Sequence, residues 1–168
     1  MRVGLRGTTR RVWGRRGVKV RQPLQLVYEW QYLPLVVDPL SGRLWWLWAD
    51  TMRAPAARAL VEATRAETDL AALVWDRAPG HRDETVRAAG LPLIEPPPSS
   101  PELNPAERVF EHLRARIEGE VYPSLGAKVA KVEAHLEELD ADPERVKRLT
   151  GWHWIADNLR RLWRENVA

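Results

Sequence analysis

The amino-acid sequence predicts an α/β fold in which a β-rich amino-terminal part is followed by helices. Two β-forming segments flank the turn-like residues 38–42, which predicts an antiparallel hairpin. A helical segment then precedes the apolar run 70–75, and this strand–helix–strand order favours parallel pairing. From Pro105 onward, apolar residues recur at helical spacing. These three observations together predict a mixed sheet that is flanked and extended by helices.

Residues 2–48 are predicted to be mainly extended. Glycines among the basic residues 2–21 predict a short extended piece with turns on either side. Residues 24–37 are rich in β-forming residues, so we predict one strand there. Its alternation places five apolar side chains on one side, namely Leu24, Leu26, Tyr28, Trp30 and Tyr32. Residues 38–42 are the hairpin turn, and residues 43–48 are the returning strand.

The middle of the chain is predicted to alternate between helix and strand. Residues 51–68 have helical composition, with a proline in the first turn and an apolar stripe. Residues 70–75 are an apolar run bounded by turn residues, which is typical of a buried strand. A short helix is predicted from residue 81 to residue 89, and residues 91–94 are predicted to form an edge strand, because their proline cannot donate to a ladder.

The remainder of the chain is predicted to be helical. Asn104 is a good N-cap, and Pro105 suits the first helical position. Apolar stripes follow at Phe110, Leu113 and Ile117, and at Leu125, Val129, Val132, Leu136 and Leu139. Another helix begins at Pro143, and a last one carries Trp154, Ile155, Leu159 and Leu162. We expect residues 1–118 to form the main domain and residues 119–168 to form a helical extension.

Charge is distributed unevenly along a chain of ordinary globular composition. The net charge is +3, with 45% hydrophobic and 29% charged residues. The first 21 residues contain no acid and eight bases, a pattern that suits phosphate backbones, namely Arg2, Arg6, Arg10, Arg11, Arg15, Arg16, Lys19 and Arg21. A second basic cluster lies at Arg160, Arg161 and Arg164. A solvated charged face is the alternative interpretation of both clusters.

Cysteine content and hydropathy exclude several classes of protein. The absence of cysteine excludes disulfides and thiolate metal sites. Residues 1–19 lack the unbroken apolar core of a signal peptide, and no run reaches the roughly 20 apolar residues that cross a bilayer. We therefore expect a soluble, cytoplasmic protein that does not bind a membrane.

Two acids stand out as candidate site residues. Asp76 follows the predicted buried strand, where open α/β sheets place their ligands. Glu107 falls in the first turn of a predicted helix, three residues after Asn104, which is also the spacing of a capping box. The tryptophans at positions 45, 46 and 48 are open to two interpretations, a packed core or a stacking platform for single-stranded nucleic acid. Alternation predicts that Trp46 and Trp48 share one face.

The segments around these acids carry a resemblance to a known family. Residues 75–81 (Trp-Asp-Arg-Ala-Pro-Gly-His) and 100–110 (Ser-Pro-Glu-Leu-Asn-Pro-Ala-Glu-Arg-Val-Phe) resemble the catalytic half of DDE transposases related to mariner elements, in particular the bacterial insertion-sequence group called six-thirty. The similarity begins near the amino terminus and continues to about Trp154. It implies a ribonuclease H-like mixed sheet flanked by helices, truncated here at its first strand.

The resemblance also implies a chemistry and a set of site residues. Asp76 and Glu107 match the family's second and third metal-binding carboxylates, and the implied cofactor is Mg²⁺, held as two ions. His81, Glu102 and Asn104 would lie near the metals without being principal ligands. The implied reaction is DNA cleavage at element ends and strand transfer into target DNA, performed by a homodimer in the bacterial cytoplasm, on the nucleoid when DNA is bound. The amino-terminal bases, from Arg10 to Arg21, would contact DNA.

The sequence departs from the family pattern at two places. The family's first aspartate belongs to an Asp-Glu pair directly before a segment like residues 2–5, whereas here the first acid is Glu29. We therefore expect the chain to be inactive alone, because a ligand shared by both metals is missing. Arg77 stands where the family has asparagine, so it would either compete with the metal or contact a DNA phosphate.

Two further questions stay open at the level of sequence. A non-catalytic DNA-binding or interaction protein descended from a transposase is the alternative to an enzyme. A missing first carboxylate is explained equally by a decayed element, a misassigned start or a frameshifted second half of a gene.

Overall fold

Three short β-ladders form the sheet part of this computed structural model, which describes residues 1–7, 13–70, 72–75, 92–97 and 100–167. β1 (Arg2–Gly4) and β2 (Trp30–Tyr32) are antiparallel, as are β3 (Leu35–Val37) and β4 (Leu44–Trp46). β5 (Leu73–Val74) and β6 (Leu93–Ile94) are parallel. The predicted mixed α/β character and the hairpin are confirmed. The described parallel pair joins β5 to β6, and not the strands on either side of the helical residues 51–68 as predicted.

The first two ladders adjoin each other at Tyr32 and Leu33. Tyr32 is opposite Arg2 in one ladder and forms an isolated antiparallel bridge with Ala49 on its other side. The amide N–H of Leu33 donates to the carbonyl of Met1 at 2.8 Å. Met1, directly before β1, is therefore held beside the segment that joins β2 to β3.

The hairpin turn between β3 and β4 has the predicted local chemistry. The Asp38 carboxylate accepts from the Leu40 amide at 2.9 Å, and the Gly42 amide donates to the Asp38 carbonyl at 2.8 Å. Gly42 has a φ of +79°, a left-handed conformation that glycine adopts without steric cost. The turn packs against the beginning of a carboxyl-terminal helix, because a Cβ on Gly42 would meet the backbone of Pro143.

Five α-helices are described. They are α1 (Ala54–Glu67), α2 (Pro105–Ile117), α3 (Leu125–Asp140), α4 (Pro143–Thr150) and α5 (His153–Val167), and a 3₁₀ turn (Pro101–Leu103) precedes α2. The predicted helical carboxyl-terminal part is confirmed. The predicted helix at residues 81–89 lies outside the described residues. Within the described ranges, no helix combines the length and the hydropathy required to cross a bilayer.

One apolar core joins the sheet to α2, α3 and α4. Its members come from both sides of position 118, and they include Val3, Leu33, Leu35, Val109, Leu113, Val132, Leu136 and Val146. A second, smaller cluster packs α1 against β5 through Ala57, Val61, Leu73 and Trp75. The helix α2 is thus held between the sheet and the carboxyl-terminal helices.

The predicted strand over residues 24–37 is wrong in its first half. Only β2 and β3 are regular strand, and Leu24, Leu26 and Tyr28 are 47%, 65% and 64% exposed. Pro34 has no amide N–H and separates β2 from β3. Residues 24–29 make backbone bonds to the amino-terminal segment, such as the Gly7 amide to the Gln25 carbonyl at 2.9 Å, but no apolar layer covers their side chains.

A buried lysine connects α3 to β1. Lys128 is almost fully buried, and its ammonium donates to the Gly4 carbonyl at 2.7 Å. The same ammonium lies 5.2 Å from the centroid of the Tyr122 ring. Burial lowers the pKa of Lys128 below its ordinary value, and the nearby Glu118 only partly opposes this shift. The sequence pattern predicted an apolar stripe here and gave no indication of a buried charge.

Trp46 in β4 and Trp48, two residues beyond it, share a single carboxylate. Trp46 Nε1 donates to one oxygen of Glu133 at 3.0 Å, and Trp48 Nε1 donates to the other at 2.6 Å. Trp45 points to the opposite face, is buried, and donates to Glu67 at 3.1 Å. Both the predicted sharing of a face and the core interpretation of these residues are confirmed.

Replacement of Glu133 by alanine is expected to lower the free energy of unfolding by about 2 kcal/mol, because two indole N–H groups lose a charged acceptor. The stability of Glu133→Gln should lie between that of Glu133→Ala and that of the unchanged chain, since an amide offers only one good acceptor. The exposed Glu137→Ala on the same helix is the matched control and should change stability by less than about 0.5 kcal/mol. Urea denaturation measures all three, and equal stabilities would contradict the bridging role.

Candidate active site

Three elements converge on one cavity of about 630 Å³. Met1, directly before β1, lines it, and so does Trp75, directly after β5. Glu107, in the first turn of α2, lines the same cavity. The cavity therefore lies where the sheet edge meets the amino-terminal end of a helix.

The amino-terminal end of α2 is organised by Asn104. Its side-chain oxygen accepts from the Ala106 amide at 3.0 Å, which satisfies a backbone donor at the helix start. The Asn104 amide itself donates to the Pro101 carbonyl at 3.0 Å. Glu107 therefore does not complete a capping box, because the amide that it would accept from is already bonded to the 3₁₀ turn. The capping interpretation of Glu107 is wrong.

The Glu107 carboxylate is available to a ligand. Its side chain is 31% exposed, and in the described part of the chain its only ion-pair partner is Arg114, with a long Nη1–Oε2 distance of 3.6 Å. A partly exposed pair at this distance contributes little to stability. Glu107 is thus a helix-borne carboxylate that lines a cavity and makes only a long ion pair within the described chain.

Asp76 and His81 lie outside the described residues, as does Arg77. The residue before Asp76 is well fixed, because the buried Trp75 donates its amide N–H to the Ile94 carbonyl at 3.0 Å. Glu102 is exposed in the 3₁₀ turn and does not line the cavity, whereas Asn104 does. The site roles of these residues remain predictions.

The described residues alone do not make a complete metal site. In the ranges that the structure describes, no group of three or more His, Asp or Glu side chains is close enough to hold one ion. Asp38 and Asp69 also line the cavity, but the Asp38 carboxylate is bonded within its own turn. Glu107 can supply one oxygen ligand of the type that Mg²⁺ prefers. A working magnesium site would need Asp76 and a further carboxylate beside it.

The predicted DNA-binding bases are only partly described. Arg10 and Arg11 lie outside the described residues. Arg15, Arg16, Lys19 and Arg21 are all exposed, and none has a side-chain acceptor within the described ranges. They form an accessible positive segment.

His112 on α2 is a perturbed group that the sequence did not indicate. Burial, followed by the charges of Arg116, Arg145 and His135, lowers its pKa to about 4. Arg145 Nη2 lies 3.3 Å from His112 Nε2, so the neutral ring accepts from the guanidinium. His112 does not line the cavity. It contributes to the contact between α2 and α4 and not to the site.

This fold and its cavity define a mixed α/β domain with a helix-borne carboxylate at the sheet edge. The family model described as DDE superfamily endonuclease matches residues 1–126. The chain therefore belongs to the DDE superfamily of endonucleases, and the predicted resemblance is confirmed at that level. No curated protein matches it in sequence.

Solved structures of one transposase share the fold. The structure titled "Mos1 transposase paired-end complex with left transposon end" is 15% identical, with a TM-score of 0.65, and the match covers 90% of this chain and 49% of that one. The structure titled "Crystal structure of the Mos1 Strand Transfer Complex" is 14% identical, with a TM-score of 0.59, and the match covers 90% and 52%. The chain thus spans about half the length of these structures.

Proposed function

We propose that these 168 residues are the catalytic part of a mariner-like DDE transposase, with a ribonuclease H-like fold. In this proposal Asp76 and Glu107 bind divalent metal ions during DNA cleavage and strand transfer. Family membership and the likeness to transposase structures support the proposal. Transposon ends and target DNA are its proposed substrates, since one solved relative is titled as a complex with a transposon end.

The observation that carries the proposal is the convergence on one cavity. The residue before β1, the residue after β5 and the first turn of α2 all line it. In the family pattern, the first carboxylate is expected just ahead of β1, the second just after β5, and the third at position 107. The shared cavity therefore supports the positions that the family pattern gives for the carboxylates.

The local structure suits the roles assigned to these residues. Two magnesium ions, when bound, would stabilise the attacking and leaving oxygens of an in-line displacement at phosphorus. The cap at Asn104 and the preceding 3₁₀ turn hold Glu107 at a fixed position. The backbone bond from Trp75 to Ile94 fixes the strand end that leads to Asp76. These bonds support a metal-binding role for Glu107 and for a carboxylate that directly follows Trp75.

The 168 residues by themselves are proposed to be inactive. The first 28 of these residues contain no acid, so the first carboxylate of the family pattern is not among them. Without it, most of the electrostatic stabilisation of phosphoryl transfer would be absent. The finer parts of the proposal are a bacterial insertion sequence of the six-thirty group as the source, action in the cytoplasm, and a homodimer as the acting form.

Nicking of supercoiled plasmid DNA tests the proposal. The 168-residue chain is compared with a chain that carries an Asp-Glu pair directly before Met1. We expect Mg²⁺-dependent nicking from the extended chain and none from the shorter one. If the extended chain folds, binds DNA and still does not nick it, the catalytic proposal is wrong.

DNA binding without catalysis is the second candidate function. It is favoured by the exposed, unpaired bases Arg15, Arg16, Lys19 and Arg21 in the described amino-terminal segment. It predicts DNA affinity with a steep salt dependence that Asp76→Ala leaves unchanged. Absence of nicking by the extended chain, together with such binding, would favour it over the enzyme.

A further inference from the structure

Among the described residues, three arginines line the cavity that Glu107 also lines. Arg53 is the N-cap residue of α1, whereas Arg160 and Arg164 lie four residues apart on α5. Side chains at this spacing share one face of a helix. All three residues are exposed. We call these three residues the arginine rim, and none of them was part of the predicted catalytic site.

Two members of the arginine rim have no internal acceptor. Arg53 and Arg164 make no ion pair or hydrogen bond through their side chains to any described residue. Arg160 is bonded to Asp157 at 3.1 Å, and both side chains are largely exposed. Several other guanidiniums of the fold are bonded internally. On α1, for example, Arg58 is bonded to Glu62 at 2.7 Å.

The acidic and basic side chains that line the cavity differ in whether they are free to bind a ligand. Its described acids are Asp38, Asp69 and Glu107, and the Asp38 carboxylate already accepts from the Leu40 amide. The free guanidiniums of Arg53 and Arg164 are planar, permanently charged donors that bind phosphate oxygens in a bidentate way. The arginine rim therefore offers charged donors to an anion in a cavity that also contains the Glu107 carboxylate.

The interior of the cavity offers a different chemistry from its rim. Leu35, Val36, Trp45 and Phe110 line it, and they provide an apolar surface. A nucleotide unit combines a charged phosphate with a sugar and a base that have apolar faces, so it matches both parts. A small carboxylate metabolite would satisfy only the rim.

We infer that Arg53 and Arg164, with Arg160 beside them, bind the phosphodiester backbone of the DNA strand that enters this cavity. The inference rests on the proposed function, because the proposed reaction brings a phosphodiester to Glu107. It assigns the strand to a path between the start of α1 and the second half of α5. The carboxyl-terminal helix thereby becomes part of the DNA-binding surface.

The first test measures the salt dependence of DNA binding without divalent metal. Fluorescence anisotropy of a labelled duplex with a single-stranded end is recorded between about 50 and 200 mM salt. Arg53→Ala and Arg164→Ala should each weaken binding about three- to tenfold and lower the salt slope by about one. Arg58→Ala on α1 and the exposed Arg148→Ala on α4 are matched controls, and both should bind like the unchanged chain.

The second test locates the strand. The chain contains no cysteine, so Met52→Cys, at the exposed cavity residue beside Arg53, creates a unique thiol. It should form a disulfide with DNA that carries a tethered mixed disulfide, by thiol–disulfide exchange that releases the small thiol, and the yield should fall at least about fivefold when Arg53 and Arg164 are both alanine. Val121→Cys, exposed and away from the cavity, should form little.

The outcomes separate this inference from the proposed function. If the chain binds DNA but neither rim variant changes the affinity and Met52→Cys does not cross-link, the inference is wrong while the proposed function stands. If the chain binds no DNA at all under any of these conditions, both fail. Circular dichroism of each variant confirms that the fold is retained, so that a loss of binding is not a loss of structure.

Discussion

Replacement of Glu107 by glutamine is expected to lower Mg²⁺-dependent DNA nicking about a thousandfold in the chain extended by an Asp-Glu pair. The amide keeps the size of the side chain but removes the negative charge that would hold a metal ion. Because the carboxylate does not cap α2 and its contact with Arg114 is long, the fold should be unaffected. Initial nicking rates, measured with equal amounts of bound DNA, give the comparison.

Glu111→Gln is the matched control for this substitution. Glu111 is exposed one turn further along α2, is bonded to Arg108 at 2.8 Å, and does not line the cavity. Its replacement should leave the nicking rate unchanged. Both variants should unfold within about 0.5 kcal/mol of the unchanged chain, as surface substitutions usually do. A Glu107→Gln chain that nicks at the unchanged rate would remove Glu107 from the site.

Gly42→Ala is expected to destabilise the fold by at least about 3 kcal/mol. Gly42 has a φ of +79°, which strains any side chain. In addition, its Cβ would lie 2.8 Å from the Pro143 carbonyl carbon and closer still to the oxygen. The backbone at the start of α4 cannot move aside without disturbing the packed core. Urea denaturation measures the loss.

Gly119→Ala separates the two causes of this loss. Gly119 has a similar φ of +87°, but nothing lies within 4 Å of the position that its Cβ would occupy. Its replacement should therefore cost only the conformational strain, about 1 to 2 kcal/mol. If the two variants lose the same stability, the close contact between the hairpin turn and α4 is not present in solution.

Much of the fold could be predicted because its signals are local. The turn at residues 38–42 follows from Asp38 and Gly42, which bond to neighbours in the chain. The start of α2 follows from Asn104, whose cap bond spans two residues. Helices from Pro105 onward follow from apolar periodicity. In each case the residues that decide the structure are close together in the sequence.

The features that could not be predicted depend on distant partners. Alternation at residues 24–30 gave no information about whether another layer covers these side chains, and none does. Lys128 is buried because a carbonyl 124 positions away accepts from it. Arg53 lines the cavity only because α1 packs beside β3 and β5. Sequence motifs identified Glu107. That it does not cap α2 became clear only from the structure, in which the Asn104 amide donates to the Pro101 carbonyl.

The packing of the buried side of α2 limits how the sequence of this chain can change during evolution. Val109, Leu113 and Ile117 lie on the buried side of the helix that carries Glu107, in the core that also contains Val132 and Leu136. The angle at which the carboxylate is presented is therefore set by residues that never meet a substrate. Selection for the reaction should therefore also restrict substitutions in the core of the carboxyl-terminal helices, even at positions far from any DNA strand.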